Sequence, residues 1–396
     1  MLSMHPSIQM NSSVHDNRHR FHTFPVHDRR LRNSFSFTVP KRYSNLQFIN
    51  GGSQGVVASA DDSVEKRRVA IKKMHQPFVI PLSAKRAYRE FVLVSSVKHP
   101  NIIQTFSVFT PQESKETFQD VYLVMELMDH NLHQVIQHVT LDHMKLSFFI
   151  YQILCAVQHL HREGIIHRDL KPSNLVVNEK CVVKVLDFGL ARLVSQTIGD
   201  RMTGYVVTRY YRAPEVVLGL PYSEKVDVWS IGCIFAELIN RRILFPGADK
   251  IQQWNEIVKV TGTPTEEYIS KLIEPIANYV RSLPKYTALS IEEIIPDRNF
   301  LEYTEHPASH LTANDARRLI SKMLTLDPNE RYSVAEALQD PYVKRWFREE
   351  EVNTPLSSSR FNWDAAEAEC SLVELNSLIF DEVKRIEAAH DVFGGL

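Results

Sequence analysis

The chain has 396 residues, with 46 Lys and Arg against 47 Asp and Glu, a net charge of −1 and 44% hydrophobic content. That is enough for two modest domains or one two-lobed catalytic unit with a packed core, and the balanced charge argues against wholesale nucleic-acid or membrane-surface binding. No apolar run reaches bilayer-spanning length, and nothing at the N-terminus reads as a secretion signal. Cys155, Cys181, Cys233 and Cys370 show no paired metal spacing and suit a reducing compartment.

In chain order, residues 1–42 are rich in Ser, Asn, His and Arg, with basic clusters at Asn17-Arg18-His19-Arg20 and Asp28-Arg29-Arg30-Leu31-Arg32. They lack a sustained apolar period, so a disordered basic tail is expected. Residues 46–49, 56–60, 69–74 and 121–125 read as strands around one helix at 84–98, which His99-Pro100-Asn101 ends. From 129 onward helical patterns dominate. The clearest, 145–163, is apolar on most faces and closed by Gly164, as a core helix should be. Residues 175–177 and 182–186 form a hairpin within this part. The expected plan is α+β and two-lobed: a β-rich lobe at 43–128, a larger α-helical lobe at 129–347, and an extension at 348–396. A cleft between such lobes is a common ligand site.

Three stretches carry chemistry. Ile49-Asn50-Gly51-Gly52-Ser53-Gln54-Gly55-Val56-Val57 joins two strands, and its glycines let backbone amides approach phosphates; alone, such a cluster is more often a plain hairpin turn. In Val69-Ala70-Ile71-Lys72, alternation puts Ala70 and Lys72 on one face, leaving room for a flat ring beside a cation. Glu90 shares a helical stripe with Ala87, Val94 and Val97. A carboxylate on an apolar face needs a cation, and Lys72 is the natural partner. The third stretch is Ile165-Ile166-His167-Arg168-Asp169-Leu170-Lys171-Pro172-Ser173-Asn174, followed by Val185-Leu186-Asp187-Phe188-Gly189. Asn174 and Asp187 flank the hairpin almost symmetrically, so their oxygens meet at one end and suit Mg²⁺. Asp169 is placed to accept a proton from an attacking hydroxyl, and Lys171 to steady a transferred phosphoryl group.

Together these stretches resemble the protein kinases over residues 43–347. Within that family the chain is similar to the mitogen-activated kinases, most of all the c-Jun N-terminal kinase branch. That closer likeness lies in Ala84-Lys85-Arg86-Ala87-Tyr88-Arg89-Glu90, in Phe118 to Met128, and in Val206-Val207-Thr208-Arg209-Tyr210-Tyr211-Arg212-Ala213-Pro214-Glu215.

The resemblance implies an ATP-dependent, proline-directed serine/threonine kinase of stress signalling. Lys72 would bind the α- and β-phosphates and pair with Glu90, Met125 would be the gatekeeper, and Glu126 and Met128 would offer backbone groups to adenine. Asp169 would be the base, Asn174 and Asp187 the metal ligands, and Thr208 a contact of Asp169 and Lys171. Asp227 would brace the catalytic loop and Glu215 would pair with Arg331. Activation would come from phosphorylation of Thr203 and Tyr205, adding roughly three to four negative charges. Arg86, Arg89, Arg168 and Arg192 would receive the first phosphate, and Arg209 and Arg212 the second. Implied partners are an upstream dual-specificity MAP kinase kinase, substrates with Ser/Thr-Pro sites (transcription factors among them), phosphatases, and docking-motif peptides read through Glu351. No membrane or direct nucleic-acid partner is implied, and the expected location is cytoplasm and nucleus. An amphipathic acidic stretch at 363–387 resembles the family's C-terminal helix, which packs back on the small lobe.

The chain departs from the pattern at four places, one of them His133, which stands where that branch usually carries a cysteine. Asn50 stands where the family has the first glycine of the phosphate loop, Gly204 separates Thr203 from Tyr205, and Arg348 replaces an expected docking acid. Asn50 is the sole support for a rival reading as a catalytically impaired scaffold or docking protein.

Overall fold

The computed structural model describes residues 17–28, 32–52, 55–74, 77–193, 208–301, 311–357 and 370–394. Five antiparallel strands form the N-terminal sheet: β3 (Tyr43–Gly52), β4 (Gly55–Asp62), β5 (Arg67–Met74), β6 (Thr105–Phe109) and β7 (Tyr122–Glu126), in the order β3-β4-β5-β7-β6. Period-two alternation divides their side chains. Val56, Ala58, Ala60, Val69, Ile71, Tyr122 and Val124 belong to one apolar cluster, whereas Leu123 and Met125 join the main core on the other side.

The first cluster is capped by a hairpin that was expected to be disordered. Strands β1 (Phe21–Asp28) and β2 (Asn33–Pro40) pair in unbroken register from Phe21↔Pro40 to Asp28↔Asn33. Val26, Phe37 and Val39 are fully buried against the sheet. The expectation of disorder therefore fails for 17–28 and 32–42, while residues 1–16 lie outside the described residues. The physical reason is tertiary. The hairpin's apolar residues find partners on the upper face of the sheet, where Phe37 meets Tyr122 edge-on at 5.8 Å, and in the C-terminal segment, where Phe21 meets Phe393 edge-on at 5.4 Å. A buried pair of Arg42 and Asp62, 2.8 Å apart, fixes the junction.

Helix α1 (Pro81–Ser96) begins with Pro in its first turn, where a missing N–H costs nothing. Its buried stripe of Ala84, Ala87, Tyr88, Phe91 and Val94 faces the sheet, and Glu90 lies on the same side.

The large lobe is built around α2 (Leu132–His138), α3 (His143–Arg162), α4 (Pro214–Leu218) and α5 (Lys225–Asn240). Asp142 caps α3 through the Lys145 amide at 2.8 Å, and the helix is buried on nearly every face. Short strands β8 (His130–Asn131), β9 (Ile165–Ile166), β10 (Leu175–Val177), β11 (Val183–Val185) and β12 (Arg192–Leu193) lie at the junction of the lobes. A C-terminal helix, Leu372–Ala389, returns to the small lobe. It buries Leu375, Ile379, Phe380, Val383 and Ile386, with Phe380 against Phe118 at 5.2 Å. Glu387 also accepts the Thr110 amide at 2.7 Å. Among the described residues no helix is long and apolar enough to cross a membrane.

Candidate active site

The roof of the cleft is the β3–β4 turn. Asn50 pairs with Val57, Gly51 with Val56 and Gly52 with Gly55; Ser53 and Gln54 lie outside the described residues. Gly55 has φ +148°, and an added Cβ would sit 2.3 Å from the Lys73 carbonyl, so only glycine fits. Asn50 turns its side chain back on the loop, and its Oδ1 accepts the Gly51 amide at 2.9 Å. Ile49 is 46% exposed at the mouth.

Ala70 and Lys72 share the lower face of β5, and Ala70 pairs across the ladder with Met125. Lys72 and Glu90 form an ion pair, 8% and 7% exposed, joining the sheet to α1. Burial works to lower the Lys72 ammonium, but the Glu90 and Asp187 carboxylates outweigh it and hold it above the ordinary lysine value.

The hinge side chain was not foreseen as a structural link. Glu126 accepts the Gln104 amide and the Lys184 ammonium, both at 2.7 Å. The sequence signal was slight: a lysine on the outward face of β11, three residues before Asp187. Met128 packs against the main core.

The floor is the loop after β9. Asp227, at the start of α5, is fully buried and accepts the His167 amide at 2.8 Å, the Arg168 amide at 2.9 Å and His161 Nε2 at 2.9 Å. Burial alone would raise its carboxyl, yet His161, His167 and the Arg168 amide together hold it below the ordinary aspartate value. This bracing keeps Arg168 in left-handed backbone at φ 69°, and Asp187 sits at φ 68°. Such conformations cost on the order of 1–3 kcal/mol and persist only where the surroundings impose them.

Asp169 is buried, and its Oδ2 accepts Lys171 Nζ at 2.7 Å and Asn174 Nδ2 at 3.0 Å. Burial raises its carboxyl above the usual range despite the Lys171 charge. The β10–β11 ladder pairs Leu175 with Val185, and the Leu186 amide donates to the Asn174 carbonyl at 2.8 Å. Asn174 and Asp187 therefore sit at one end of the hairpin. With its Nδ2 given to Asp169, Asn174 has its amide oxygen to offer a cation. Thr208 is exposed, and among the described residues no hydrogen bond joins it to Asp169 or Lys171. The Lys171 ammonium is already engaged by the base itself.

The expected phosphate-receiving arginines come from several elements. Arg192 pairs with Ile166 across β12–β9, two residues from Arg168. Arg86 and Arg89 lie on α1, and a Cβ on Gly189 would be 3.8 Å from the Arg86 carbonyl, which sets α1 against the Asp187 loop. Arg212 is lowered below the ordinary arginine value by burial and by the charges of Arg209 and Arg168, with Asp169 opposing. Arg209 donates to the Ala248 carbonyl. Thr203 and Tyr205 lie outside the described residues. Glu215 and Arg331 are bidentate and buried, at 2.7 and 2.9 Å. The Glu351 carboxylate accepts the Tyr151 hydroxyl at 2.9 Å.

Residues 43–343 match the protein kinase domain. The chain belongs to the protein kinase family. It is 58% identical over 376 residues to GLH-binding kinase 1 of Caenorhabditis elegans, covering 95% of this chain and 96% of that one. It is 48% identical over 371 residues to the stress-activated protein kinase JNK of Drosophila melanogaster, covering 94% and 97%. This kinase is therefore a serine/threonine protein kinase of the mitogen-activated, JNK-like type, and its cleft binds ATP.

Proposed function

We propose that this kinase transfers the γ-phosphoryl group of ATP to Ser or Thr hydroxyls that precede proline, acts in stress signalling, and is switched on by phosphorylation of Thr203 and Tyr205. The observation that supports the switch is at Arg212, where burial and the nearby charges of Arg209 and Arg168 lower the guanidinium against the opposing charge of Asp169. Two phosphates would add charge-assisted hydrogen bonds to this cluster of cations. Arg86 and Arg89 on α1 and Arg192 on β12 would extend that grip to the small lobe and the metal-binding loop.

In the transfer, the substrate oxygen attacks the γ-phosphorus, the bond to the β–γ bridging oxygen breaks, and the hydroxyl proton passes to Asp169. A buried carboxylate with a raised proton affinity suits that role. Lys171, 2.7 Å from the base, is placed to hold the phosphoryl oxygens. Lys72 orients the α- and β-phosphates and is itself fixed by Glu90. The oxygens of Asn174 and Asp187 are the hard donors that fit Mg²⁺, which would neutralise phosphate charge when bound. Proposed partners are a dual-specificity MAP kinase kinase, Ser/Thr-Pro substrates, phosphatases, and docking peptides that reach Glu351. The proposed setting is cytoplasm and nucleus.

The test uses γ-labelled ATP and a proline-directed peptide after treatment with an upstream kinase. Asp169→Asn is expected to lose about a hundredfold or more of the rate, and Thr203→Ala with Tyr205→Phe to lose activation. Equal signal from Asp169→Asn and wild type would defeat the enzymatic assignment of that residue. Full activity of the double variant would remove the switch.

A further inference from the structure

The N-terminal hairpin reaches the phosphate loop through one aromatic contact. Phe35 lies two residues before the fully buried Phe37, on the same face of β2, and extends beyond the buried cluster toward β3. Its ring stacks on Phe48 with centroids 6.3 Å apart and planes 12° from parallel. Phe48 in turn packs against the loop: a Cβ built on Gly51 would meet its ring at 3.3 and 3.4 Å. The β3–β4 ladder shifts register between Phe48 and Asn50, so the backbone pairing that might fix the loop is interrupted at that point. The hairpin itself cannot drift. Lys73 Nζ donates to the Ser36 carbonyl at 3.0 Å, and the Thr38 amide donates to the Tyr122 hydroxyl at 3.1 Å.

We propose that Phe35 is a positioning residue for the nucleotide: by stacking on Phe48 it holds the Asn50–Gly51–Gly52 backbone at the height where it closes over the phosphates. This rests on reading the β3–β4 turn as the phosphate loop. Lys73, the neighbour of the phosphate-binding Lys72, anchors the same hairpin, so both sides of the phosphate site are referred to one support. Residues ahead of the matched kinase domain then set phosphate affinity without touching ATP. Asn50 makes the support necessary, because the first loop position is here a side-chain-bearing residue rather than glycine.

The experiment measures binding of a non-hydrolysable ATP analogue and of adenosine, each by fluorescence titration with Mg²⁺, to the full chain. Phe35→Ala is expected to weaken the ATP analogue about three- to tenfold, as loss of an aromatic pair implies. It should leave adenosine unchanged, because adenosine has no phosphates for the loop to close on. Phe35→Tyr restores the ring and is expected to restore the affinity. In a double-mutant cycle, Phe48→Ala should add nothing to Phe35→Ala. An unchanged ATP-analogue affinity, or an equal loss for adenosine, overturns the proposal. If Phe35→Ala lowers the unfolding midpoint, Phe35→Leu, which keeps apolar cover but not the ring, decides: wild-type affinity overturns the ring's role and weakened affinity supports it. Wild type that binds adenosine as tightly as the ATP analogue would instead refute the phosphate-loop reading itself.

Discussion

The catalytic loop and the glycine-rich loop face each other across one cleft, but they are secured by different kinds of contact. Asp227 accepts two amides and a histidine from inside the large lobe, all within 2.9 Å. The roof is tied by ladder bonds that shift register at Asn50, by that residue's own side chain, and by a stacked ring from the hairpin. Buried hydrogen bonds to a charged acceptor fix atoms to fractions of an ångström, while ring stacking fixes a surface and leaves the backbone room to move. On these contacts the floor is expected to govern the rate of transfer and the roof how tightly phosphates are held.

The largest expected effect breaks the floor without touching reacting atoms. Asp227→Asn leaves at least one of the His167 and Arg168 amides poorly served and relaxes the left-handed turn. We expect kcat to fall about a hundredfold, the order that a small misplacement of a catalytic group costs. The KM for ATP should change little. Steady-state kinetics at varied ATP separates the two, and a loss confined to KM would erase the distinction between floor and roof.

Next in size is a pH effect on the floor's backing. His99, in the turn after α1, and His159, on α3, lie with rings 5.1 Å apart, and both are pushed down to about 4, chiefly by burial. The Glu351 backbone opposes this at His99 and the Thr354 backbone at His159, while His159 and Lys184 add to it at His99 and Arg162 at His159. Because the folded form binds fewer protons than the unfolded chain, their contribution is fully present above the ordinary histidine value. It is lost as pH falls from there toward 4. Urea unfolding should lose about 2 kcal/mol per histidine between pH 7 and pH 5. His159→Leu should flatten roughly half of that slope; an unaltered slope would locate the titration elsewhere.

The floor was legible because its residues are close in sequence. His167 to Asn174 and Val185 to Gly189 carry their geometry in a turn and a hairpin, so spacing alone brings Asn174 beside Asp187. The roof was legible only in part. Val69 to Lys72 alternates cleanly, and Glu90 announced its partner by sitting on an apolar stripe. The hairpin was hidden because its core residues, Val26, Phe37 and Val39, are interspersed with polar ones, and Pro25 weakens the strand signal of the first segment. Its burial depends on Tyr122 and Phe109, some eighty residues away in sequence, and no local period reports such a contact. The side-chain role of Glu126 was hidden for the same reason. Its partners Gln104 and Lys184 lie on separate elements, and only the folded hinge unites them.

A smaller effect probes the roof alone. In Asn50→Gly the Gly51 amide is released from the Asn50 side chain, and the position regains the freedom a phosphate loop uses. One net hydrogen bond, partly offset by the added flexibility of glycine, sets the scale. Initial rates at varied ATP should show a KM about two- to threefold lower, with kcat unchanged. A higher KM would mean that the Asn50 bond orders the loop for ATP rather than competing with it.

The smallest effect concerns the strut between the two regions. Glu126 and Lys184 form a pair with side chains 22% and 13% exposed, close enough to water for its charges to be screened. Lys184→Ala should lower stability by less than about 1 kcal/mol, measured as the shift in urea midpoint. The Gln104 amide still holds Glu126 after that change, so the hinge keeps its course. A loss of several kcal/mol would show instead that the strut, and not the Asp227 bracing, sets the spacing of floor and roof. Asp227→Asn should then disturb nucleotide affinity as much as turnover.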